Sequence, residues 1–191
     1  MKTTTRKIQI GVMGSAADLN YSRELEKMAE EIGSFVAKNG CILVFGAEKD
    51  YDSLSTAACR GAKKAGGTTV GITYGKGLDI YETKNVDVVI ATGLERGGGR
   101  ETALVLSCDA IICLNGGSGT LTEIAIAYQA NIPIVVMRNS GGWSDKLGGQ
   151  YLDSRKKVLI ETANSPSEAV ELAIKRVAAS RSVEISGKVM P

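Results

Sequence analysis

The sequence predicts a single doubly wound, mostly parallel α/β domain, and three observations lead there. Short apolar runs alternate with amphipathic stretches along nearly the whole length, the pattern of a parallel sheet covered by helices on both faces. One such run, Ala110 to Leu114, passes straight into Asn115-Gly116-Gly117-Ser118-Gly119-Thr120-Leu121-Thr122-Glu123, after which apolar residues recur at helical spacing. The chain of 191 residues is long enough for one full core and too short for two comfortable ones.

Taken in order, a strand near 7–13 leads into Gly14-Ser15. A helix near 21–38 follows, with Leu25, Met28, Ala29, Ile32 and Phe35 on one stripe and a stop at Asn39-Gly40. Strands are expected near 41–46, 68–73, 86–91, 109–114, 133–137 and 157–160. Helices near 53–65, 100–107, 119–130 and 165–179 fit between them, the first of these closed by Gly66-Gly67. The stretch 138–149, with Gly141-Gly142, Trp143 and Gly148-Gly149, reads as the longest irregular loop, either covering a ligand or making a surface excursion. No repeat or linker divides the chain, so residues 1–180 are read as one nucleotide-binding domain and 181–191 as a C-terminal tail.

Composition narrows the chemistry. A net charge of +2 argues against a duplex-binding surface, and two phenylalanines with one tryptophan argue against an aromatic single-strand groove, so nucleic acid is not the expected partner. The absence of histidine removes the commonest general base and metal ligand, leaving acid–base chemistry to carboxylates. Cys41, Cys59, Cys108 and Cys113 show no C-x-x-C spacing, and no metal site is expected. The basic start is followed by a strand-like run rather than a signal-peptide core, and no stretch would span a membrane, so a cytoplasmic location is expected.

The glycine turn is a phosphate-binding element by construction. Glycines at 116, 117 and 119 let the backbone approach an anion, and a helix beginning near Ser118 to Thr120 points unpaired N–H groups and a positive dipole end at it. Glu123 falls in the first turns of that helix, either as a helix-start acid or as a catalytic or ribose-contacting group. Gly14 and Ser15, at the exit of the first strand, would offer further donors to a phosphate. Arg100 would open the neighbouring helix on the same sheet edge, suited to phosphate recognition, to clamping Glu123, or to a solvated surface. Dinucleotide and Walker A fingerprints are both absent.

Arg100, Ser107-Cys108-Asp109-Ala110-Ile111-Ile112, Gly116 to Glu123 and Ile132-Pro133-Ile134-Val135 together resemble the LOG-type superfamily of Rossmann-like proteins, often mislabelled lysine decarboxylases. Thr92-Gly93 followed by the arginine helix is most similar to its molybdenum-cofactor-carrier and DNA-processing-protein-A-like branch. The resemblance implies a carrier or sensor for a phosphorylated nucleoside or pterin-nucleotide-like molecule. Its ligand is then a bound nucleotide or molybdopterin-type cofactor, no cofactor is required, and the chain is a homodimer. The alternative it implies is a nucleoside 5′-monophosphate phosphoribohydrolase with Arg100 and Glu123 catalytic and Gly116 to Thr120 on the phosphate. The chain departs from that enzyme pattern at Glu101, Leu104 and Asn115. It departs again where a glycine-rich run reads Gly46-Ala47-Glu48-Lys49-Asp50-Tyr51-Asp52, and only Gly46 survives. Acids in that loop are expected to repel a phosphate and slow any hydrolysis.

Overall fold

A computed structural model describes residues 6–185, and among these seven strands form one sheet in the order β4-β3-β2-β1-β5-β6-β7. The strands are β1 (Gln9–Gly14), β2 (Ile42–Gly46), β3 (Thr68–Thr73), β4 (Val88–Ala91), β5 (Ala110–Leu114), β6 (Ile134–Met137) and β7 (Ile160–Ala163). All six pairings are parallel. The order reverses between β1 and β5, so the crevice outside their C-terminal ends is the topological switch point where open α/β sheets bind ligands. The doubly wound expectation is met.

Six α-helices cover the sheet: α1 (Arg23–Lys38), α2 (Leu54–Lys64), α3 (Arg100–Leu106), α4 (Ser118–Gln129), α5 (Gly142–Leu147) and α6 (Pro166–Ile185). Helices α1, α2 and α6 bury Ile32, Val36, Leu54, Ala58, Val170 and Ala173 against one face. On the other face, α3 and α4 bury Leu104, Val105, Ile124 and Tyr128. Both faces of the central strands are therefore dry, which is why β5 reads Ala-Ile-Ile-Cys-Leu without polar alternation. Of the tail expected at 181–191, the residues from 186 onward lie outside the described ones. Among the described residues no helix is long and apolar enough to cross a membrane.

Helices α1 and α2 begin at Ser22 and Ser53, whose hydroxyls accept the N–H groups of Leu25 and Thr56. Along their length they touch backbone to backbone. A Cβ on Gly33 would stand 1.9 Å from the Ala58 carbonyl oxygen, and one on Gly61 1.8 Å from that of Glu30. Arg60 bridges the pair, 2.7 Å from Glu26 and 3.0 Å from Asp52.

Helix α6 runs to Ile185, past the expected end at 179 and into the expected tail, and two further elements differ from the sequence reading. The last strand begins at Ile160, the end of the expected 157–160 span, because pairing with β6 runs from Ile134↔Ile160 to Met137↔Ala163. Its polar Glu161 and Thr162 disguise it. Within 138–149, six residues form α5, too short and glycine-flanked to show a period. Asp145 ties its start by accepting the N–H groups of Ser140 and Gly141.

Candidate ligand-binding site

The exits of β1, β2, β3, β4 and β5 converge on one edge of the sheet, and the glycine turn lies at their centre. Asn115 and Gly116 both take positive φ, at 54° and 102°, and Gly116 leaves room for Thr120, whose Cβ would lie 2.5 Å from an added Cβ. Gly117 is extended, at φ −94°, and serves as N-cap of α4 without any side-chain capping bond. The helix's own hydrogen bonding starts with the Leu121 N–H to Gly117 O. The N–H groups ahead of it face the crevice as donors, at the positive end of a 12-residue helix. Gly119 has ordinary helical backbone and open space around its Cβ position, so the special conformation belongs to Gly116.

Gly14 and Ser15 brace the turn. A Cβ on Gly14 would meet Leu54 Cβ at 2.9 Å and Leu114 O at 3.0 Å, so its lack of a side chain is a packing requirement. Ser15 is buried, and its Oγ accepts the Gly116 N–H at 3.0 Å, tying β1 to the turn. Leu19, on the short helical turn after β1, is 55% exposed, and its Cδ1 would lie 2.7 Å from a Cβ on Gly117. It places an apolar surface beside the donors. Nothing in the sequence distinguished Leu19, since it lies outside any periodic segment.

Arg100 and Glu123 come to the same crevice, but they do not pair. Arg100, 4% exposed, gives its Nη2 to Glu48 Oε1 at 2.9 Å and stands 3.7 Å from Glu101 Oε1. Gly46 makes this burial feasible, because a Cβ there would lie 2.3 Å from Arg100 Nη1. The Arg100 Nε–H is buried without a partner. Arg96 approaches Glu48 from the outer side, donates to the Tyr51 hydroxyl at 2.5 Å, and lies over the rings of Tyr51 and Tyr74. This outer cluster was not legible from the sequence, where Arg96, Tyr51 and Tyr74 are far apart and none sits in a motif.

The acids of the β2 exit are thus arranged differently from a bare repulsive loop. Glu48 is shared between two guanidinium groups, Asp52 is held by Arg60 while accepting the Ser53 N–H, and Asp50 is exposed. Two of these acids, Glu48 and Asp52, are therefore already engaged by guanidinium groups. Glu123 is 8% exposed. Burial pushes its carboxyl up to about 8; Arg100 opposes this, and Glu101 and Glu48 add to it. Burial thus favours the protonated form of this side chain.

Residues 7–170 match the family described as the SLOG cluster4 family. An uncharacterized protein of Archaeoglobus fulgidus is 35% identical over 122 residues, 64% of this chain and 74% of that one. Among solved structures, the molybdenum cofactor carrier protein of Chlamydomonas reinhardtii superposes with a TM-score of 0.74 at 32% identity, covering 91% of this chain and 99% of the other. The molybdenum cofactor binding protein of the phototrophic bacterium Rippkaea orientalis gives 0.76 at 31% identity, with 92% and 99% covered. DNA processing protein A of Helicobacter pylori, at 16% identity and a TM-score of 0.63 over 88% and 81%, shares the fold. The chain belongs to the SLOG cluster4 family.

Proposed function

We propose that this SLOG-family chain binds a phosphorylated nucleoside or pterin-nucleotide-like small molecule in the β1/β5 crevice, as a cytoplasmic carrier or sensor. The observation that carries this reading is the uncapped start of α4 behind a left-handed Asn115-Gly116 turn, a set of convergent N–H donors fitted to a phosphate monoester. The N–H groups from Gly117 to Thr120 would hold the phosphate, Gly116 would shape the turn, Gly14 and Ser15 would support it, and Gly46 would seat Arg100. The kinship to two proteins named for the molybdenum cofactor favours a pterin-nucleotide-type ligand over a plain mononucleotide. The residues present fit the phosphate end of such a cofactor.

The second reading, an N-glycosidic hydrolase acting on nucleoside monophosphates, draws on Arg100 and Glu123 sharing one crevice. Two features weigh against it. The Arg100 guanidinium is already engaged by Glu48, and burial, by disfavouring the charged form of Glu123, weakens it as a stabiliser of an oxocarbenium-like ribosyl centre. Calorimetry with AMP, GMP, CMP and UMP, followed by chromatography of the same samples, tests both readings. We expect binding without base release. We also expect binding to be lost in Gly119→Val, whose side chain enters open space at the helix start and leans toward the donors while the fold survives. Unchanged affinity in that folded variant removes the site assignment. Release at about one turnover per second or faster, abolished in Glu123→Ala, establishes the hydrolase.

The homodimer is part of the same proposal. A shallow apolar groove between α3 and α4 is lined by Leu106, Leu121, Ala125 and Ile126, with Leu106 largely exposed, and a second copy of this chain would cover it. Sedimentation at tens of micromolar is expected to show twice the 20.1 kDa chain mass. A species of single-chain mass alone refutes the dimer.

A further inference from the structure

Given the reading of the glycine turn as a phosphate site, the neighbouring strand exits bear on what lies at the other end of the ligand. Arg96 belongs to the exposed, glycine-rich loop between β4 and α3, yet its guanidinium is held by three partners. It donates to the Tyr51 hydroxyl at 2.5 Å and to the Tyr74 hydroxyl at 3.4 Å, pairs with Glu48, and lies 5.5 and 5.2 Å from the centroids of the two tyrosine rings. Glu48 is itself fixed by Arg100, which lies 5.9 Å from the Tyr74 ring centroid. Fixing a long side chain costs rotamer entropy that a plain surface arginine keeps. Arg96 nonetheless stays 48% exposed, so a planar cationic surface is presented to solvent in a set place.

That place is in line with the turn. The registers Gly14↔Leu114, Val12↔Phe45 and Gly46↔Ile72 bring the exits of β5, β1, β2 and β3 nearly level. With strands about 4.8 Å apart, Tyr74 at the β3 exit stands roughly 14 Å along the edge from the turn. Tyr51 is tied nearer: the carbonyl of Asp52 beside it accepts the Ala17 N–H at 2.9 Å, and Leu19, on the same helical turn as Ala17, has its Cδ1 2.7 Å from where a Cβ of Gly117 would stand. Backbone donors, an exposed leucine and the Arg96 clasp thus follow one another along the sheet edge. The span suits a phosphate, a sugar-sized linker and a flat ring in a row.

We propose that the Arg96 clasp is the ring subsite of the crevice, and that it selects a phosphate monoester carrying a fused nitrogen heterocycle, purine or pterin, over a bare sugar phosphate or a pyrimidine nucleotide. A guanidinium is flat, delocalised and weakly hydrated, so a π-face laid on it gains both stacking and cation–π attraction. A two-ring system covers more of the clasp than a single ring does. Because Tyr51, Tyr74 and Glu48 hold Arg96 before any ligand arrives, little ordering is left to oppose that gain. Leu19 meets the linker between the two ends.

Calorimetry on the full chain with ribose 5-phosphate, CMP, AMP and GMP tests this. We expect AMP and GMP to bind about tenfold more tightly than ribose 5-phosphate, the usual scale of a stacked base, with CMP between them. In Arg96→Ala the purine nucleotides and ribose 5-phosphate are expected to fall to parity. Arg96→Lys, which keeps the charge but not the plane, is expected to recover only part of the preference. Equal binding of AMP and ribose 5-phosphate by the parent overturns the ring subsite and leaves the phosphate site standing. The parent's full preference in Arg96→Lys, or an equal loss for all four compounds in Arg96→Ala, also overturns it, since Arg96 would then act by charge alone. Binding of none of the four overturns the phosphate site itself, and the inference with it.

Discussion

Gly61→Val is expected to prevent folding of the domain, and Gly61→Ala to cost about 3 kcal/mol or more. Typical overpacking in a core costs roughly 1–3 kcal/mol, because side chains can rotate aside. Here the obstacle is the Glu30 carbonyl, 1.8 Å from the added Cβ and fixed in the helical ladder of α1, so only separation of the two helices relieves the clash. Against a total stability of roughly 5–15 kcal/mol, that is a large fraction. The same separation would pull Asp52 from Arg60 and loosen the bridge between Ala16 and Ser53 that steadies the β1 exit. Thermal unfolding followed by circular dichroism measures it, with Gly119→Ala as the control in open space. A Gly61→Ala melting temperature within a degree or two of the parent would show that α1 and α2 do not meet in this way.

Arg100→Met is expected to lower stability at pH 7 by about 3–5 kcal/mol, the usual consequence of removing one partner of a buried ion pair. Methionine fills much of the volume, but it leaves Glu48 with only the half-exposed Arg96 and takes the nearby guanidinium from Glu101. For a chain of this length each kilocalorie moves the melting temperature by about 2–4 °C, so a fall on the order of 10 °C is the readout. Adding Glu48→Gln to Arg100→Met should restore part of the loss, since the double variant no longer strands that carboxylate. A loss under about 1 kcal/mol in the single variant would mean that water reaches these groups.

What could be read from the sequence follows the physics of each element. Strands β1, β2 and β5 announce themselves because they are mostly dry on both faces, and α1 because its apolar stripe repeats over four turns. The turn at Gly116 and the approach of Arg100 and Glu123 to one crevice were legible because βα exits of a parallel sheet share an edge. The partner of Arg100 was not. Glu48 lies 52 residues away, and Gly46, which makes room for the guanidinium, looks in sequence like the remnant of a phosphate loop. The close contact at Gly33 and Gly61 was equally hidden, because a glycine inside a helix carries no sign of what passes over it. Helix α5 is too short for any periodicity to register.

That short helix has a consequence for how the crevice would work in time. The peptide groups of Asn115 and Gly116 are held from both sides: Ser140 and Ser15 take their N–H groups at 2.9 and 3.0 Å, while Ser144 and Trp143 N–H groups reach their carbonyls at 3.0 Å each. A turn so pinned has little conformational entropy left to surrender when an anion arrives. Association should then be a single fast step, governed by encounter rather than by loop rearrangement, with affinity differences between ligands appearing in the rate of escape. The lone indole of the chain hangs from the same backbone that braces the turn, so its emission is a built-in stopped-flow signal for that step.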